Sequence, residues 1–147
     1  MIKTPSETYR TPQSILETVL YCEDLVAAGE FYEEVIGLTL FSHEPNRHRF
    51  YQVGGSMLLI FQPATTEQVA VEIGGEAIPR HGAHGPGHLA FAVGEQEMEA
   101  VRSRLAQQGV AIESEIDWPS GGHSIYCRDP DGNSIEFATR SLWFRSH

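Results

Sequence analysis

The sequence predicts an α+β fold made of two βαβββ modules, on three observations. Strand-like and helix-like periodicities follow one another in the same order twice. Each copy has a helix stopped by a glycine, Gly37 or Gly109. Each ends in a strand entered through a glycine-containing turn, Gly54-Gly55 in the first copy and Asp129 to Gly132 in the second.

In the first copy, alternation from Ile15 to Cys22 predicts a strand. Asp24 then caps a helix running to about Ile36, with Leu25, Ala28, Phe31, Tyr32 and Val35 on its inner face. Three strands follow, near Leu38 to His43, His48 to Val53 and Met57 to Gln62. The second copy has a strand from Gly87 to Val93, a helix from about Gln96 to Gln108, and strands near Ala111 to Asp117, Gly122 to Arg128 and Asn133 to Thr139. The organisation expected is one domain over 1–147. Module one covers about 14–62, an irregular connection 63–86, module two about 87–139, and a tail 140–147.

A chain of 147 residues, 41% of them hydrophobic, is long enough for one sizeable core. Its formal charge of -10, from twenty acidic and ten basic residues, argues against a nucleic-acid partner, since phosphate binding relies on clustered Lys and Arg. There is no basic leader and no apolar span of about 20 residues, so the expectation is a soluble cytoplasmic protein without membrane partners. Cys22 and Cys127 fall inside apparent strands and read as small buried hydrophobes rather than a disulfide.

Three strands each carry one potential metal ligand among apolar residues: Glu17 in SILETVLYC, His88 in GHLAFAV and Glu136 in the DPDGNSIEF ending. The repeat places Glu17 and His88 at matching positions of the two opening strands. Four residues beyond the turn glycine fall Leu59 in module one and Glu136 in module two. An approximate two-fold relation between the modules would bring these four positions to one cavity, three of them with ligand chemistry. Each also has a structural alternative: a hydrogen-bonded core histidine for His88, a solvent-facing carboxylate for Glu136, a solvated role for Glu17. Tyr126 and Ser124 alternate onto one face of their strand beside the site, with His123 and Ile125 opposite. Tyr126 and Glu17 are the candidates for catalytic roles, Tyr126 as hydrogen-bond donor or proton carrier, with a partly buried structural tyrosine as its alternative. Arg49, Tyr51, Phe61 and Trp118 are candidates to line the cavity, with ordinary core as the alternative. His81 and His84, in the connection before His88, are candidates for a lid, with a solvated loop as the favoured alternative.

The EDLxxAxxFYxxxxGLxL stretch from Glu23 to Leu40, the GHLAFAV strand and the DPDGNSIEF ending together resemble the vicinal oxygen chelate superfamily. That family includes glyoxalase I, fosfomycin-inactivating thiol transferases, methylmalonyl-CoA epimerase, extradiol dioxygenases and bleomycin-sequestering proteins. The resemblance implies an open, cup-shaped mixed sheet around a divalent metal, with Glu17, His88 and Glu136 as ligands, and a homodimer. It departs from the family in two places. Leu59 stands where glyoxalase I and the epimerase have a fourth ligand, and Glu17 stands where dioxygenases and fosfomycin-inactivating enzymes usually have His.

One divalent transition metal per chain is therefore expected, and two carboxylates with one imidazole do not choose among Zn, Mn, Fe, Ni and Co. The leading reading is a metal-dependent enzyme acting on a small molecule with vicinal oxygens by lyase, isomerase, thiol transferase or dioxygenase chemistry. The rival is a metal-free small-molecule binding protein of the bleomycin-resistance type.

Overall fold

The computed structural model describes residues 8–145, so residues 146 and 147 of the expected tail lie outside the described residues. Strand β1 (Glu17–Tyr21) leads to Asp24, whose carboxylate accepts from the backbone N–H of Val26 and Ala27, both at 3.0 Å, and so satisfies two orphan donors of the first turn. Helix α1 (Leu25–Gly29) runs on as a π-helical segment, Glu30–Val35. There the Ile36 N–H reaches back five residues to the Phe31 carbonyl, a local rewinding that the apolar spacing does not foretell. Gly37, at φ 88°, then takes the left-handed conformation that ends the helix.

Strands β2 (Thr39–Glu44), β3 (His48–Val53) and β4 (Ser56–Phe61) complete module one, with Gly54 and Gly55 forming the turn between the paired residues Val53 and Ser56. The sheet order is β1-β4-β3-β2, with β1 parallel to β4 and the other pairs antiparallel. The connection is more regular than its composition suggests. It forms α2 (Pro63–Gln68), with Pro63 at the start where a missing N–H costs nothing, and a hairpin of β5 (Val71–Ile73) and β6 (Glu76–Ile78).

Module two repeats the plan with β7 (His88–Ala92), a 3₁₀ turn (Glu95–Glu97) leading into α3 (Met98–Gln107), then β8 (Ser114–Asp117), β9 (His123–Arg128) and β10 (Ser134–Ala138). Its sheet order, β7-β10-β9-β8, again has the opening strand parallel to the closing one. Strand β8 begins later than the alternation implies, although the Glu113 N–H still donates to the Tyr126 carbonyl at 2.8 Å. This architecture is the α+β arrangement of two βαβββ modules that the repeat predicts.

One face of each sheet packs on the helices in a shared core. Leu20, Tyr32, Tyr51, Leu58 and Ile60 from module one meet Met98, Leu105, Ile125, Cys127 and Ile135 from module two. Both cysteines are free and buried within it, and burial, chiefly, pushes the Cys127 thiol up to about 11. A core this close-packed loses about 2–5 kcal/mol when a leucine is cut to alanine.

The modules are pinned by the buried carboxylate of Asp129 in the β9–β10 turn. One oxygen accepts from the backbone N–H of Asp131 and Asn133, both at 2.9 Å. The other accepts from the Tyr32 hydroxyl at 2.7 Å and the Asn133 amide at 2.9 Å, with the Cys22 thiol at 3.5 Å. Tyr32→Phe removes one charge-assisted bond across the module boundary and is expected to cost about 1.5–3 kcal/mol, read as a lower urea midpoint.

On the outer side of module two, His123 lies between two carboxylates, with Nε2 2.8 Å from Glu115 and Nδ1 against Asp117, while Arg102 from α3 bonds Glu115 and Glu99. Hydrogen bonds to Glu115 and Asp117 raise the His123 pKa above its ordinary 6.5. A raised folded-state pKa contributes stability that is fully present below 6.5 and lost as pH rises through the folded value. The stability advantage of wild type over His123→Gln is therefore expected to be largest at pH 6 or below and to shrink through the neutral and alkaline range, as measured by urea denaturation at several pH values.

Candidate functional site

Strand alternation and register decide which side chains share the face of each sheet that is not against the helices. In module two, His88 pairs with Ser134, and Glu136 pairs with Ala90 on one side and Tyr126 on the other. Paired residues share a face, so His88, Glu136, Tyr126 and Ser124 lie together, while Ile125, Ile135 and Phe137 point into the core. The same register holds in module one, where Glu17 pairs with Met57 and Val19 with Leu59. Leu59 is thus the structural equivalent of Glu136, as the count from the turn glycines implied.

His88 opens β7 with its side chain half exposed, and Glu136 is almost fully buried. His88 Nδ1 is 3.1 Å from the Ser134 carbonyl oxygen and 3.1 Å from the Ser134 hydroxyl. A carbonyl oxygen only accepts, so Nδ1 carries the hydrogen and the lone pair of the neutral ring sits on Nε2. Nε2 faces Glu136 Oε1 at 3.1 Å. The other carboxylate oxygen, Oε2, accepts from the Ser124 hydroxyl at 2.6 Å, and that hydroxyl accepts from the Trp118 indole N–H at 2.8 Å.

The Tyr126 ring lies against His88 with centroids 6.2 Å apart. Burial, then the charge of and a hydrogen bond with Glu136, raise the pKa of its hydroxyl, which keeps its proton across the neutral range. The arrangement leaves a nitrogen lone pair and a carboxylate oxygen facing each other, each with its far side already engaged by the protein. Two such acceptors at hydrogen-bond distance call for a proton or a cation between them. Imidazole with carboxylate is a donor set suited to Zn, Mn, Fe, Ni or Co, so the residues present fit a divalent ion.

The fold does not bring Glu17 to this pair within the chain. Among the described residues no group of three His, Cys, Asp or Glu side chains stands ready to hold a metal ion. Module two approaches β1 at its far end, where the Asn133 side-chain nitrogen donates to the Tyr21 carbonyl at 3.1 Å while its Oδ1 accepts from the Gly87 N–H at 2.7 Å. Four strand residues, at about 3.3 Å each, separate Tyr21 from Glu17 by about 13 Å. Glu17 stays exposed on the open face of module one.

Other expected lining residues divide by the same alternation. Arg49 and Tyr51 are corrected to the helix side, where both bond Glu33 Oε2, at 2.7 and 2.8 Å. Their neighbours His48 and Phe50 stack on the open face, with centroids 3.8 Å apart, next to Phe61. His81 packs on that face too, 4.8 Å from the Phe61 ring, with Nδ1 2.5 Å from the Tyr21 hydroxyl. His84 holds the connection down by pairing with Glu67 at 2.7 Å and Glu23 at 3.4 Å. The strap so formed covers part of module one rather than His88 and Glu136. Ser134, which fixes the His88 ring, and the bond from Trp118 to Ser124 were missed. Ser134 carries a signal in sequence, two residues before Glu136 on its face, whereas the Trp118 contact depends on a loop conformation.

With this fold and pair of donors in view, the chain belongs to the Glyoxalase/Bleomycin resistance protein/Dioxygenase superfamily, whose family model matches residues 14–137. Among its relatives is the glutathione transferase FosA of Serratia marcescens, 29% identical over 130 residues that cover 88% of this chain and 83% of the relative. The metallothiol transferase FosB of Lysinibacillus sphaericus (strain C3-41) is 31% identical over 134 residues, covering 90% and 86%. Among solved structures, lactoylglutathione lyase from Agrobacterium tumefaciens superposes with a TM-score of 0.86 at 36% identity, covering 92% of this chain and all of that one. No helix among the described residues is long and apolar enough to cross a membrane.

Proposed function

We propose that this chain is a divalent-metal-dependent thiol transferase or lyase acting on a small molecule with vicinal oxygens, and that His88 and Glu136 are metal ligands. The observation that carries the reading is the convergence of His88 Nε2 and Glu136 Oε1 at 3.1 Å, with Nδ1 and Oε2 both held from behind. Outer partners of this kind orient ligands and fix the imidazole tautomer. The thiol-handling relatives favour transferase or lyase chemistry over dioxygenation.

A divalent ion, when bound, supplies Lewis-acid polarisation of a carbonyl or epoxide oxygen. The chain's own residues do the rest. Tyr126 places a hydroxyl beside Glu136 for the substrate's oxygens. The open face of module one offers an apolar and aromatic wall of Val19, Leu59, Phe50 and Phe61, which excludes water from the bound molecule.

The third ligand is Glu17 of a second copy of the chain. Glu17 is exposed and remote from His88 in its own chain, and exposed apolar groups lie beside it, with Ile15 and Leu16 just before β1 both more than 70% exposed and Val19 exposed on the open face of β1. A two-fold dimer that lays module one of one copy against module two of the other covers these groups and completes two sites.

Metal content settles the first part. Protein purified without chelator or affinity tag is expected to carry close to one transition-metal ion per chain by elemental mass spectrometry, and His88→Ala and Glu136→Ala to carry none. A wild-type protein that stays empty and refuses added Mn²⁺, Fe²⁺, Ni²⁺ and Zn²⁺ overturns the enzyme reading in favour of a metal-free binding protein.

Co-expression of Glu17→Ala with Glu136→Ala tests the second part. Each variant alone lacks a complete site, whereas the mixed dimer regains one intact site from Glu17 of one copy and His88 and Glu136 of the other. Uptake of about one ion per mixed dimer is expected, and no uptake there would mean that each chain builds its own site.

A further inference from the structure

We infer that Ser124, oriented by Trp118, is a positioning residue that reserves Glu136 Oε2 for the protein and presents Oε1 alone beside His88. This rests on the reading that His88 and Glu136 hold a divalent ion.

The hydrogen directions follow from donor chemistry. The indole N–H of Trp118 can only donate, so at 2.8 Å the Ser124 oxygen accepts from it. A hydroxyl has a single hydrogen. With its oxygen receiving from Trp118, Ser124 directs that hydrogen to Glu136 Oε2 at 2.6 Å, the short distance of a bond to an ionised acceptor. Ser124 is fully buried and Glu136 is 6% exposed, so water does not compete for either group. In such surroundings a carboxylate keeps the orientation its donors impose. One of its oxygens is thereby occupied, and the other is left facing Nε2.

Trp118 is itself held by the fold. Its backbone N–H donates to the Gly122 carbonyl at 3.0 Å, and its carbonyl accepts from the Gly121 N–H at 2.9 Å. Gly122 sits at φ 96°, and a Cβ there would lie 2.6 Å from the Leu142 backbone nitrogen. The 118–122 loop is thus pressed against the 3₁₀ turn Arg140–Leu142, and the indole reaches Ser124 from a braced position. A relay runs from the C-terminal turn through the loop, Trp118 and Ser124 to the carboxylate.

The test uses Co²⁺, which reports coordination by its visible absorption, titrated into metal-free wild type, Ser124→Ala, Trp118→Phe and the double variant. Ser124→Ala is expected to weaken Co²⁺ binding about 10–100-fold and to change the absorption bands as Oε2 becomes free to ligate. Trp118→Phe should weaken binding less, in the same direction. Because Trp118 acts only through Ser124, the double variant should bind no more weakly than Ser124→Ala, a non-additivity that general loss of stability does not produce.

Wild-type affinity and an unchanged spectrum in Ser124→Ala would overturn the assignment while leaving the metal site standing. Additive losses in the double variant would overturn the relay through Trp118. A wild-type protein that takes up no Co²⁺ would instead sink the metal reading itself, and this assignment with it. Should Ser124→Ala not fold, Trp118→Phe, which leaves the serine hydroxyl in place, still decides by its spectrum whether the indole governs Glu136.

Discussion

The buried Asp129 carboxylate is the constraint on which the rest of this structure depends. It sits in the turn that closes module two, yet among its donors is Tyr32 from the helical segment of module one. A carboxylate away from water has to collect hydrogen bonds, and beyond those of its own turn the donors from Tyr32 and Cys22 reach it only when the two modules dock. Asn133, held by the same carboxylate, then reaches the Tyr21 carbonyl and receives the Gly87 N–H. Gly87 directly precedes His88. The network that joins the modules therefore also sets where the strand bearing the first candidate ligand begins.

From that docking follows a division between the two faces of each sheet. The helix-facing sides share one core and carry the apolar residues that stabilise the fold. The opposite sides collect the chemistry. In module two these are His88, Glu136, Tyr126 and Ser124, and in module one Glu17 with an aromatic group that includes Phe50, Phe61 and His48. The modules repeat the same register but not the same function. Leu59 occupies the position of Glu136, so module one offers an apolar wall and a single carboxylate where module two offers a nitrogen and oxygen pair. An approximate internal symmetry has been kept in the backbone and lost in the side chains.

Much of this was legible in the sequence because sheet periodicity is local. An alternation of two residues places His88, Glu136, Tyr126 and Ser124 on common faces whatever the modules do, and the turn glycines fix the equivalence of Leu59 with Glu136. The same rule, applied strictly, separates Arg49 and Tyr51 from Phe50 and would have kept them out of the cavity. The π-helical turn from Glu30 to Val35 was not legible, because the apolar spacing of Phe31, Tyr32 and Val35 suits an α-helix equally well. Nor was the order within the connection, where Gly, Pro and His content masks a short helix and a hairpin.

By itself the sequence determined the two βαβββ modules, the pairing of opening and closing strands, the face on which each candidate ligand lies, and the family to which the chain belongs. Tertiary structure alone decided three things. It separated Glu17 from His88 within the chain, directed the Ser124 hydroxyl toward Glu136, and fixed the His88 tautomer through Ser134. Strand alternation repeats every two residues and depends only on nearest neighbours. Distances between modules and the direction of a hydrogen bond depend on how separate segments dock around Asp129, and no periodicity along the chain encodes that.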